Sequence, residues 1–256
     1  MEAYNYLKEI YSGKRAIYNH ITLFSLLGIM VIFLNNLSAS WGSSLYIDIF
    51  AIPPASSFEL WVALLGGFLT ALYLFGYSYQ YVNSLFKREE CSLIEFTFEP
   101  FGTFFRVFPM FFLWQNYVTL VAVVGSLIIL AFDNLVMLYI FTAIILLFLP
   151  FVHMVLINFS SRFKYRLKFF YPWTVLQYFD KTFSSVVYLF SQVLLLALVP
   201  ITMITCLVLV SMQIEHEVYQ YAIELACLCF GIYSFAVLKY VFSVGLVRII
   251  KEKLMP

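Results

Sequence analysis

Two ionisable side chains that fall inside long apolar segments are the first candidates for chemistry. Glu224 lies shortly after the start of the last apolar segment, where its carboxylate could take a proton or coordinate a cation, and His153 follows Pro150 and could relay protons. Charge is costly to place in hydrocarbon, so such groups usually have a function or a partner. The alternative is structural: the glutamate reaches headgroups or pairs with a polar group of its own helix, and the histidine is satisfied at the membrane interface. Glu224 and His153 therefore form a candidate intramembrane polar site.

Two prolines inside apolar segments are candidate hinges. Pro150 interrupts the fourth segment and Pro200 the fifth. Each proline removes a backbone hydrogen bond and can bend its helix, and transporters use broken helices to build substrate sites. Proline is also tolerated in ordinary membrane helices, so a purely structural kink is the alternative to a functional hinge.

A run of alternating basic and apolar residues follows the fourth segment. Its cations are Arg162, Lys164, Arg166 and Lys168, and its apolar residues are Phe163, Tyr165, Leu167 and Phe169. Anionic lipid headgroups attract such cations with about 1 kcal/mol each. RNA could also bind a basic aromatic run, but lipid contact explains both the charges and the rings, and the net charge of +1 gives no sign of a nucleic-acid partner. We predict that these cations contact anionic headgroups on the cytoplasmic side.

The sequence carries no motif of an enzyme, a cofactor site or a metal site. It lacks HExxH, the P-loop, GxGxxG and GxSxG. Its histidines lie far apart, and its cysteines have neither CxxC nor Cys–His zinc spacing. The cysteines are interpreted as buried structural thiols, with Cys91 in a basic loop and Cys206, Cys227 and Cys229 inside apolar segments. We therefore expect a non-enzymatic protein without a cofactor or a bound metal.

The elements that position these residues are membrane helices. Apolar residues make up 63% of the chain and charged residues 11%, against roughly 45–50% and about 25% in soluble domains. A spanning helix needs about 20 apolar residues. Six segments qualify: Ile17–Leu37, Phe58–Tyr81, Phe111–Phe132, Leu135–Ile157, Phe183–Val210 and Val218–Val247. The prediction is an all-α, polytopic membrane protein with six transmembrane helices in three hairpins, in which residues 1–256 form a single membrane domain.

The distribution of charge predicts the orientation. The short loops that close the three hairpins contain acids but none of the 15 basic residues. Basic residues are retained in the cytoplasm, so the predicted topology has both chain ends on the cytoplasmic side. A removable signal peptide is the alternative for the first segment, because Lys14 and Arg15 precede it and Ser38-Ala39-Ser40 follow its apolar core. A retained helix is the simpler interpretation.

Amphipathic segments precede the hairpins on the cytoplasmic side. Their apolar stripes are Phe101, Phe104, Phe105 and Phe108 after Pro100; Val175, Leu176, Phe179 and Phe183 after Pro172; and, more weakly, Tyr4, Leu7, Ile10 and Tyr11. Apolar residues three and four apart mark one face of a helix, and such helices lie in the membrane interface with the apolar face down. We predict two or three interfacial amphipathic helices, and parallel pseudo-repeats of about residues 1–90, 91–168 and 169–256.

The chain resembles a known family of membrane proteins. The residues that carry the resemblance are the run from Gly76 through Phe86-Lys87-Arg88-Glu89-Glu90 to Phe105, the stretch from Asn158 to Leu194, and the exit Gly245-Leu246-Val247-Arg248. They have the shape of the domain-of-unknown-function 4013 family of uncharacterised prokaryotic membrane proteins. The resemblance implies a multi-pass protein of a bacterial or archaeal cytoplasmic membrane. It implies no activity, because none is assigned to the family.

The near absence of charge inside the apolar segments favours a non-enzymatic scaffold. Such a component organises or binds other membrane proteins, and its cytoplasmic side contacts anionic lipid. A transporter usually needs buried polar groups to bind polar cargo, and here Glu224 is the main candidate. The alternative function is a transporter or permease subunit for a small or lipophilic substrate, with kinks at Pro150 and Pro200.

Overall fold

The computed structural model describes residues 2–13, 15–40, 57–88, 91–131, 135–214 and 217–255. Within these ranges every regular element is helical, which confirms the all-α prediction. The α-helices are α1 (Glu2–Ile10), α2 (Ala16–Ser40), α3 (Ser57–Lys87), α4 (Glu99–Ala131), α5 (Leu135–Ser160), α6 (Trp173–Ser211) and α7 (Glu217–Lys253). A short 3-10 helix, Leu167–Phe170, precedes α6. Most of the predicted loop between the first two spans lies outside the described residues.

Four helices, α4 to α7, are long and apolar enough to cross a membrane. α6 alone has 39 residues, which is about 58 Å at 1.5 Å per residue, whereas the hydrocarbon core of a bilayer is about 30 Å thick. The first predicted span lies in α2, whose described apolar stretch is the shorter Ala16–Val31, and the second lies in α3. Within the described residues, length and composition thus support four of the six predicted spans.

The amphipathic segments before the second and third hairpins are not the separate interfacial helices that the sequence predicted. α4 and α6 each run without a break from the amphipathic segment into the predicted span. Pro109 lies at the expected boundary in α4, but it does not end the helix, because proline is tolerated in membrane helices. α6 has no glycine or proline between Trp173 and Pro200 that would end a helix. α1 alone forms an element of its own, and it is amphipathic.

The buried face of α4 also differs from the predicted apolar stripe. Near its start, α4 buries Thr103, Phe104, Val107, Met110 and Trp114. Phe105 is 69% exposed and Phe108 is 41% exposed, although both belong to the predicted stripe. Lipid is as apolar as a phenylalanine ring, so the most apolar face of a membrane helix has no need to turn toward the protein.

α6 and α1 show the same rotation of the buried face. The buried residues include Thr174, Tyr178 and Thr182 in α6, and Ala3, Tyr6 and Ile10 in α1. The exposed members of the predicted stripes are Leu176, Phe183, Tyr4 and Tyr11. Hydroxyl groups outside the predicted apolar stripes of α6 therefore lie inside the protein, where they have hydrogen-bond partners.

The protein core lies at one end of the helix bundle, which we call the basic end. α3, α5 and α7 finish there while α4 and α6 begin there, so their buried residues meet. The ring of Tyr77 packs edge-on against Tyr240 with centres 6.3 Å apart, and the Lys251 amine donates to the Leu85 carbonyl at 2.9 Å. α1 packs against α6 and α7 at this end. Apart from Lys239, which lies well inside α7, the described basic residues lie in or near the helix ends that meet here.

Neighbouring helices pack together as pairs. A Cβ atom on Gly125 of α4 would lie 2.0 Å from the Phe141 ring of α5, and one on Gly231 of α7 would lie 3.1 Å from the Ile204 side chain of α6. Small residues at such crossings let membrane helices approach closely. α2 also packs against α3. The helix pairs α2–α3, α4–α5 and α6–α7 correspond to the predicted hairpins, and their origin as repeats stays a prediction.

The opposite ends of three helices contain no buried residue among those described. These outer segments are residues 115–130 of α4, 135–150 of α5 and 193–210 of α6. In the most apolar 18-residue stretch of each helix, 6% of the residues are buried in α4 and in α5, none in α6 and 33% in α7. Monomeric proteins in water rarely expose contiguous apolar surface of this extent. Surface of this kind is suited to contact with lipid or with other membrane helices.

Candidate functional site at the basic end

Three tyrosines on α3 hold the loop between α3 and α4 in place. The donor–acceptor pairs are Tyr73 hydroxyl to Thr97 carbonyl at 2.9 Å, Tyr77 hydroxyl to Ile94 carbonyl at 2.7 Å, and Tyr81 hydroxyl to Cys91 carbonyl at 2.6 Å. Residues four apart share one face of a helix, so the row of hydroxyls points at successive carbonyls of one loop. Sequence reasoning missed this row, although the spacing of the tyrosines is visible in the sequence.

Further contacts bury the same loop. The Asn19 amide of α2 donates to the Leu93 carbonyl at 2.9 Å, and the Phe96 ring stacks on Tyr77 with centres 4.3 Å apart. The loop has no regular structure between Cys91 and Thr97. Buried carbonyls need donors, and here side chains of α2 and α3 supply them. The loop is thereby a fixed part of the basic end.

α3 and α4 approach each other very closely beside this loop. A Cβ atom on Gly76 of α3 would lie 1.9 Å from the Pro100 carbonyl oxygen of α4 and 3.2 Å from the Phe104 nitrogen. Real Cβ contacts of that kind do not occur, so only glycine fits at position 76. The close crossing puts the start of α4 directly on the second half of α3.

A cavity of about 710 Å³ lies between the end of α3, the α3–α4 loop and the start of α4. Its charged lining is mixed, with Lys87, Arg88 and Arg106 on one hand and Glu95 and Glu99 on the other. Several of these charges already have partners. The Gln80 amide donates to Glu99 at 2.5 Å, and Arg15 forms an ion pair with Glu95 at 2.7 Å. The cavity therefore has charges of both signs in its lining, with three cations against two acids that already have partners.

A second cavity gathers the cations predicted to contact lipid headgroups. It has a volume of about 280 Å³, and we call it the basic recess. Its lining contains Arg162, Lys164, Arg166 and Lys168 together with Asn158, Phe159, Ser161, Phe169, Leu254 and Met255. All four cations have exposed side chains. Among the described residues, no acid lines the recess and no ion pair involves these cations.

The loop that carries these cations is anchored from several sides. The Trp114 indole donates to the Phe169 carbonyl at 3.0 Å, and the Thr174 hydroxyl donates to the Lys168 carbonyl. The Tyr165 hydroxyl donates to the Arg106 carbonyl at 2.7 Å. Trp114 and Thr174 are among the residues that the rotated faces of α4 and α6 bury. The rotation thus supplies the donors that fix the floor of the basic recess.

Amide side chains tie the end of α5 to α3 and α6. Asn83 of α3 donates to the Ser160 and Ser161 carbonyls at 2.6 and 3.1 Å. Asn158 donates to the Tyr178 hydroxyl of α6 at 2.5 Å. The last carbonyls of a helix lack partners within the helix, and Asn83 supplies a donor to two of them. These bonds set the position of the chain just before the basic cations.

A small cluster fixes α1 on the end of α7. Arg248 forms a half-exposed ion pair with Glu9 at 2.9 Å, and its guanidinium lies 4.5 Å from the centre of the Tyr6 ring. The same guanidinium donates to the Cys91 sulfur at 3.6 Å. Burial raises the pKa of the Cys91 thiol to about 11, with Glu9 adding to the rise and Arg248 opposing it. At neutral pH this thiol is protonated and a weak nucleophile.

His20 belongs to a hydrogen-bonded cluster that sequence reasoning did not anticipate. Its ring stacks on Tyr11 with centres 4.1 Å apart, and its Nδ1 lies 2.7 Å from the Tyr233 hydroxyl. That hydroxyl also lies 3.0 Å from the Tyr11 hydroxyl. The cluster joins α2, α7 and the residue that follows α1. Tyr233 lies more than 200 positions from both Tyr11 and His20 in the chain, so no local spacing could reveal the cluster.

The structure does not bring the two predicted intramembrane groups together. Glu224 is partly buried and accepts a hydrogen bond from Gln220, one turn earlier on α7, at 3.2 Å. His153 lies beside Tyr79 of α3, with ring centres 6.2 Å apart. No hydrogen bond or ion pair joins Glu224 to His153 within the described residues. The partner of Glu224 on its own helix corresponds to the structural alternative for this residue.

The predicted hinges lie in continuous helices. α5 passes through Pro150 and α6 through Pro200, as α4 does through Pro109.

The prediction of buried thiols is right for Cys91 and Cys227 and wrong for Cys206, which is exposed, while Cys229 is partly exposed. Cys206 lies in an outer segment, where an apolar thiol faces lipid as readily as protein. Within the described residues, no three His, Cys, Asp or Glu side chains form a group that could hold a metal ion.

Comparisons with known proteins assign no family to this arrangement. No family model matches the chain, and neither a curated protein nor a solved structure matches it. The resemblance to the domain-of-unknown-function 4013 family therefore stays a prediction. The functional argument rests on the geometry of the basic end and of the outer segments.

Proposed function

We propose that the protein is a non-enzymatic scaffold of a prokaryotic cytoplasmic membrane. In this proposal the basic end lies at the cytoplasmic face and contacts anionic headgroups, while the outer segments bind helices of other membrane proteins. α2 and α3 complete a six-span topology with both chain ends in the cytoplasm. The resemblance of the sequence to a prokaryotic membrane family is consistent with this location.

The exposure of the outer segments is the observation that carries the proposal. No described residue of the outer segments is buried, yet each of the three helices has a firmly packed half at the basic end. In a transporter that acts as a single chain, the helices would pack around the path of the substrate along their whole length. Helices whose apolar sides stay open have room for further helices, and close packing drives helix association in membranes.

The positions of the polar groups support a scaffold better than a transporter. Neither Glu224 nor His153 lines any of the five cavities identified among the described residues. The buried amides of Asn19, Asn83 and Asn158 instead fix loops and helix ends at the basic end. A transporter or permease subunit for a small or lipophilic substrate is the alternative, and the prolines inside α4, α5 and α6 favour it, because proline-containing helices can bend.

Photo-crosslinking in cells tests the scaffold. A photoreactive amino acid replaces Leu127 of α4 or Leu198 of α6, which are 62% and 55% exposed in outer segments. We expect both positions to give discrete adducts of protein size, because a partner helix covers the outer segments. Electrophoresis of the purified protein and mass spectrometry of the adduct provide the measurement.

Phe105 provides the matched control, since it is 69% exposed on α4 but lies close to the basic end. There we expect adducts with lipid alone. If Leu127 and Leu198 also give only lipid adducts, no partner helix covers the outer segments and the scaffold proposal is wrong. An adduct of twice the chain mass would identify the partner as a second copy of this protein.

A further inference from the structure

An apolar groove lies close to the basic recess. It has a volume of about 400 Å³ and runs between α4, α5 and the start of α6. Its walls include Trp114 and Tyr117 of α4, Phe148 and Val152 of α5, and Leu176 of α6. Not one of its lining residues is charged. In a membrane, a groove of this character is filled by hydrocarbon.

A hydrogen bond and a common helix connect the groove to the basic recess. Trp114 lines the groove and donates its indole hydrogen to the carbonyl of Phe169, which lines the recess. On α5, Val152 lines the groove and Phe159 lines the recess, and residues seven apart lie on the same face of a helix. Seven residues span about 10 Å along the helix axis. The two cavities therefore follow one another along α5.

Exposed aromatic residues mark the boundary between the two cavities. Tyr171 is 57% exposed and Trp173 is 67% exposed, and both lie between the basic loop and the groove wall at Leu176. Tyrosine and tryptophan concentrate where hydrocarbon meets headgroups. This places the basic recess at headgroup depth and the groove at the depth of acyl chains.

The charge of the recess selects an anion. Arg162, Lys164, Arg166 and Lys168 converge on it, and none of them has an ion-pair partner within the described part of the chain. The neighbouring cavity between α3 and α4 differs, because two acids, Glu95 and Glu99, line it together with its three cations. Arginine and lysine are the residues that proteins use to hold phosphate. An anionic phosphate group fits the recess by charge.

We propose that the basic recess and the apolar groove together bind one anionic phospholipid, with its phosphate among the four cations and an acyl chain in the groove. This inference rests on the proposed function in one respect, namely that the basic end faces anionic headgroups. It goes further, because it predicts one bound lipid per protein at a defined site. The proposed function needs only a charged surface. Free phosphate shares the headgroup chemistry but cannot use the groove.

Binding of phosphatidylglycerol to the delipidated full-length protein in detergent tests the site. The variant carries Lys164→Gln and Arg166→Gln, whose side chains are exposed and line the recess. We expect its affinity for phosphatidylglycerol to be about 30-fold lower, which corresponds to about 1 kcal/mol for each cation. Native mass spectrometry counts the bound lipid. The matched control carries Lys8→Gln and Lys181→Gln, which removes two exposed cations away from the recess and leaves the affinity unchanged.

A second pair of variants tests the groove. Leu176→Trp fills it with a larger ring, and Leu194→Trp places the same ring on an exposed part of α6 outside it. We expect the first variant to lose phosphatidylglycerol and the second to bind it like the parent protein. Glycerol phosphate, which has the headgroup but no acyl chain, should bind far more weakly than phosphatidylglycerol and should be insensitive to Leu176→Trp.

The possible results separate this site from the proposed function. Equal losses in the recess variant and in the Lys8 and Lys181 control would overturn the site while leaving a generally basic lipid-facing end intact. Tight glycerol phosphate binding would identify a phosphate site without a lipid and overturn the proposal. Binding of single-stranded RNA that competes with phosphatidylglycerol and is lost in the recess variant would assign the cations to nucleic acid. Crosslinking at Leu127 and Leu198 is independent of all three results, because neither residue lines the groove.

Discussion

At the scale of single residues, hydroxyl and amide side chains hold the basic end together. The α3–α4 loop has no regular structure, so its carbonyls depend on donors from Tyr73, Tyr77 and Tyr81. A hydrogen bond between buried groups is hard to replace, because water is not there to take it over. We therefore expect stability to depend on hydroxyl groups that apolar substitutions of the same shape would remove.

Tyr81→Phe tests this dependence. The substitution keeps the ring in the core and removes the hydroxyl that donates to the Cys91 carbonyl at 2.6 Å in a fully buried place. We expect a loss of about 1–3 kcal/mol in the free energy of unfolding, measured as a lower melting temperature in detergent. Tyr139→Phe removes a hydroxyl from a residue that is 74% exposed and should leave the melting temperature unchanged. Equal melting temperatures for both variants would show that the tyrosine row does not stabilise the loop.

The contacts of some of these residues could be predicted from the sequence, and those of others could not. The cations of the basic recess stand together in the sequence, so their shared position follows from local spacing. The histidine at position 20 meets Tyr233 only after folding, because α2 and α7 are distant in the chain. The hydrogen-bond partner of Glu224 was among the predicted alternatives, since a polar residue one turn away is within reach of any helical glutamate.

At the scale of elements, helix existence was predictable and helix orientation was not. Apolar periodicity showed that residues after Pro100 and Pro172 form helices, and both do. Periodicity shows which residues share a face, but in a membrane the apolar face is equally stable against lipid and against protein. Each predicted stripe is therefore divided: Phe105 and Leu176 are exposed, whereas Phe104 and Val175 are buried. Thr174, from the opposite face of α6, is also buried, and its hydroxyl has a hydrogen-bond partner.

Gly76→Ala tests how far α3 and α4 depend on their close crossing. The new Cβ atom would lie 1.9 Å from the Pro100 carbonyl oxygen, so the helices must separate. We expect destabilisation of several kcal/mol, by analogy with overpacked cores that lose about 1–3 kcal/mol or more. Thermal unfolding in detergent measures it, together with loss of the tyrosine–loop contacts.

Gly66→Ala is the matched control on the same helix, because nothing lies within 4 Å of its added Cβ atom. Alanine favours helix over glycine by about 1 kcal/mol, so this variant should be as stable as the parent or slightly more so. Destabilisation by both substitutions to the same extent would assign the effect to helix flexibility and not to the crossing.

At the scale of the whole molecule, the sequence predicted the class of the protein but not the position of its core. Composition identified a helical membrane protein, and α4 to α7 have the length and hydropathy to cross a membrane. Hydropathy shows which segments can enter a membrane, but an apolar face is equally stable against lipid and against protein, so it does not reveal that packing is concentrated at the basic end. That location follows from polar residues and glycine positions, such as Asn83 and Gly76, whose partners lie on other helices.

Reporter fusions test the predicted topology. Pro54, Asn134 and His216 lie outside the described residues, in the three predicted hairpin loops without basic residues. Fusions there should all report the external side, because basic residues keep the other loops in the cytoplasm. A fusion at Arg162, in the basic loop, should report the cytoplasm and serves as the control. A cytoplasmic signal from any of the first three positions would contradict six spans with both chain ends inside.

The ion pair between Glu9 and Arg248 joins positions 239 residues apart, and this has a consequence for synthesis. Tyr81 and Tyr240 likewise come together, with ring centres 5.1 Å apart, only when α7 exists. Ribosomes add about 5–20 residues per second, so the 37 residues of α7 take roughly 2–7 s to make. During that interval the earlier helices are already in the membrane with their basic-end surfaces open. Because α7 carries the partners of Glu9 and Tyr81, we expect chains that stop before it to lack these contacts at the basic end.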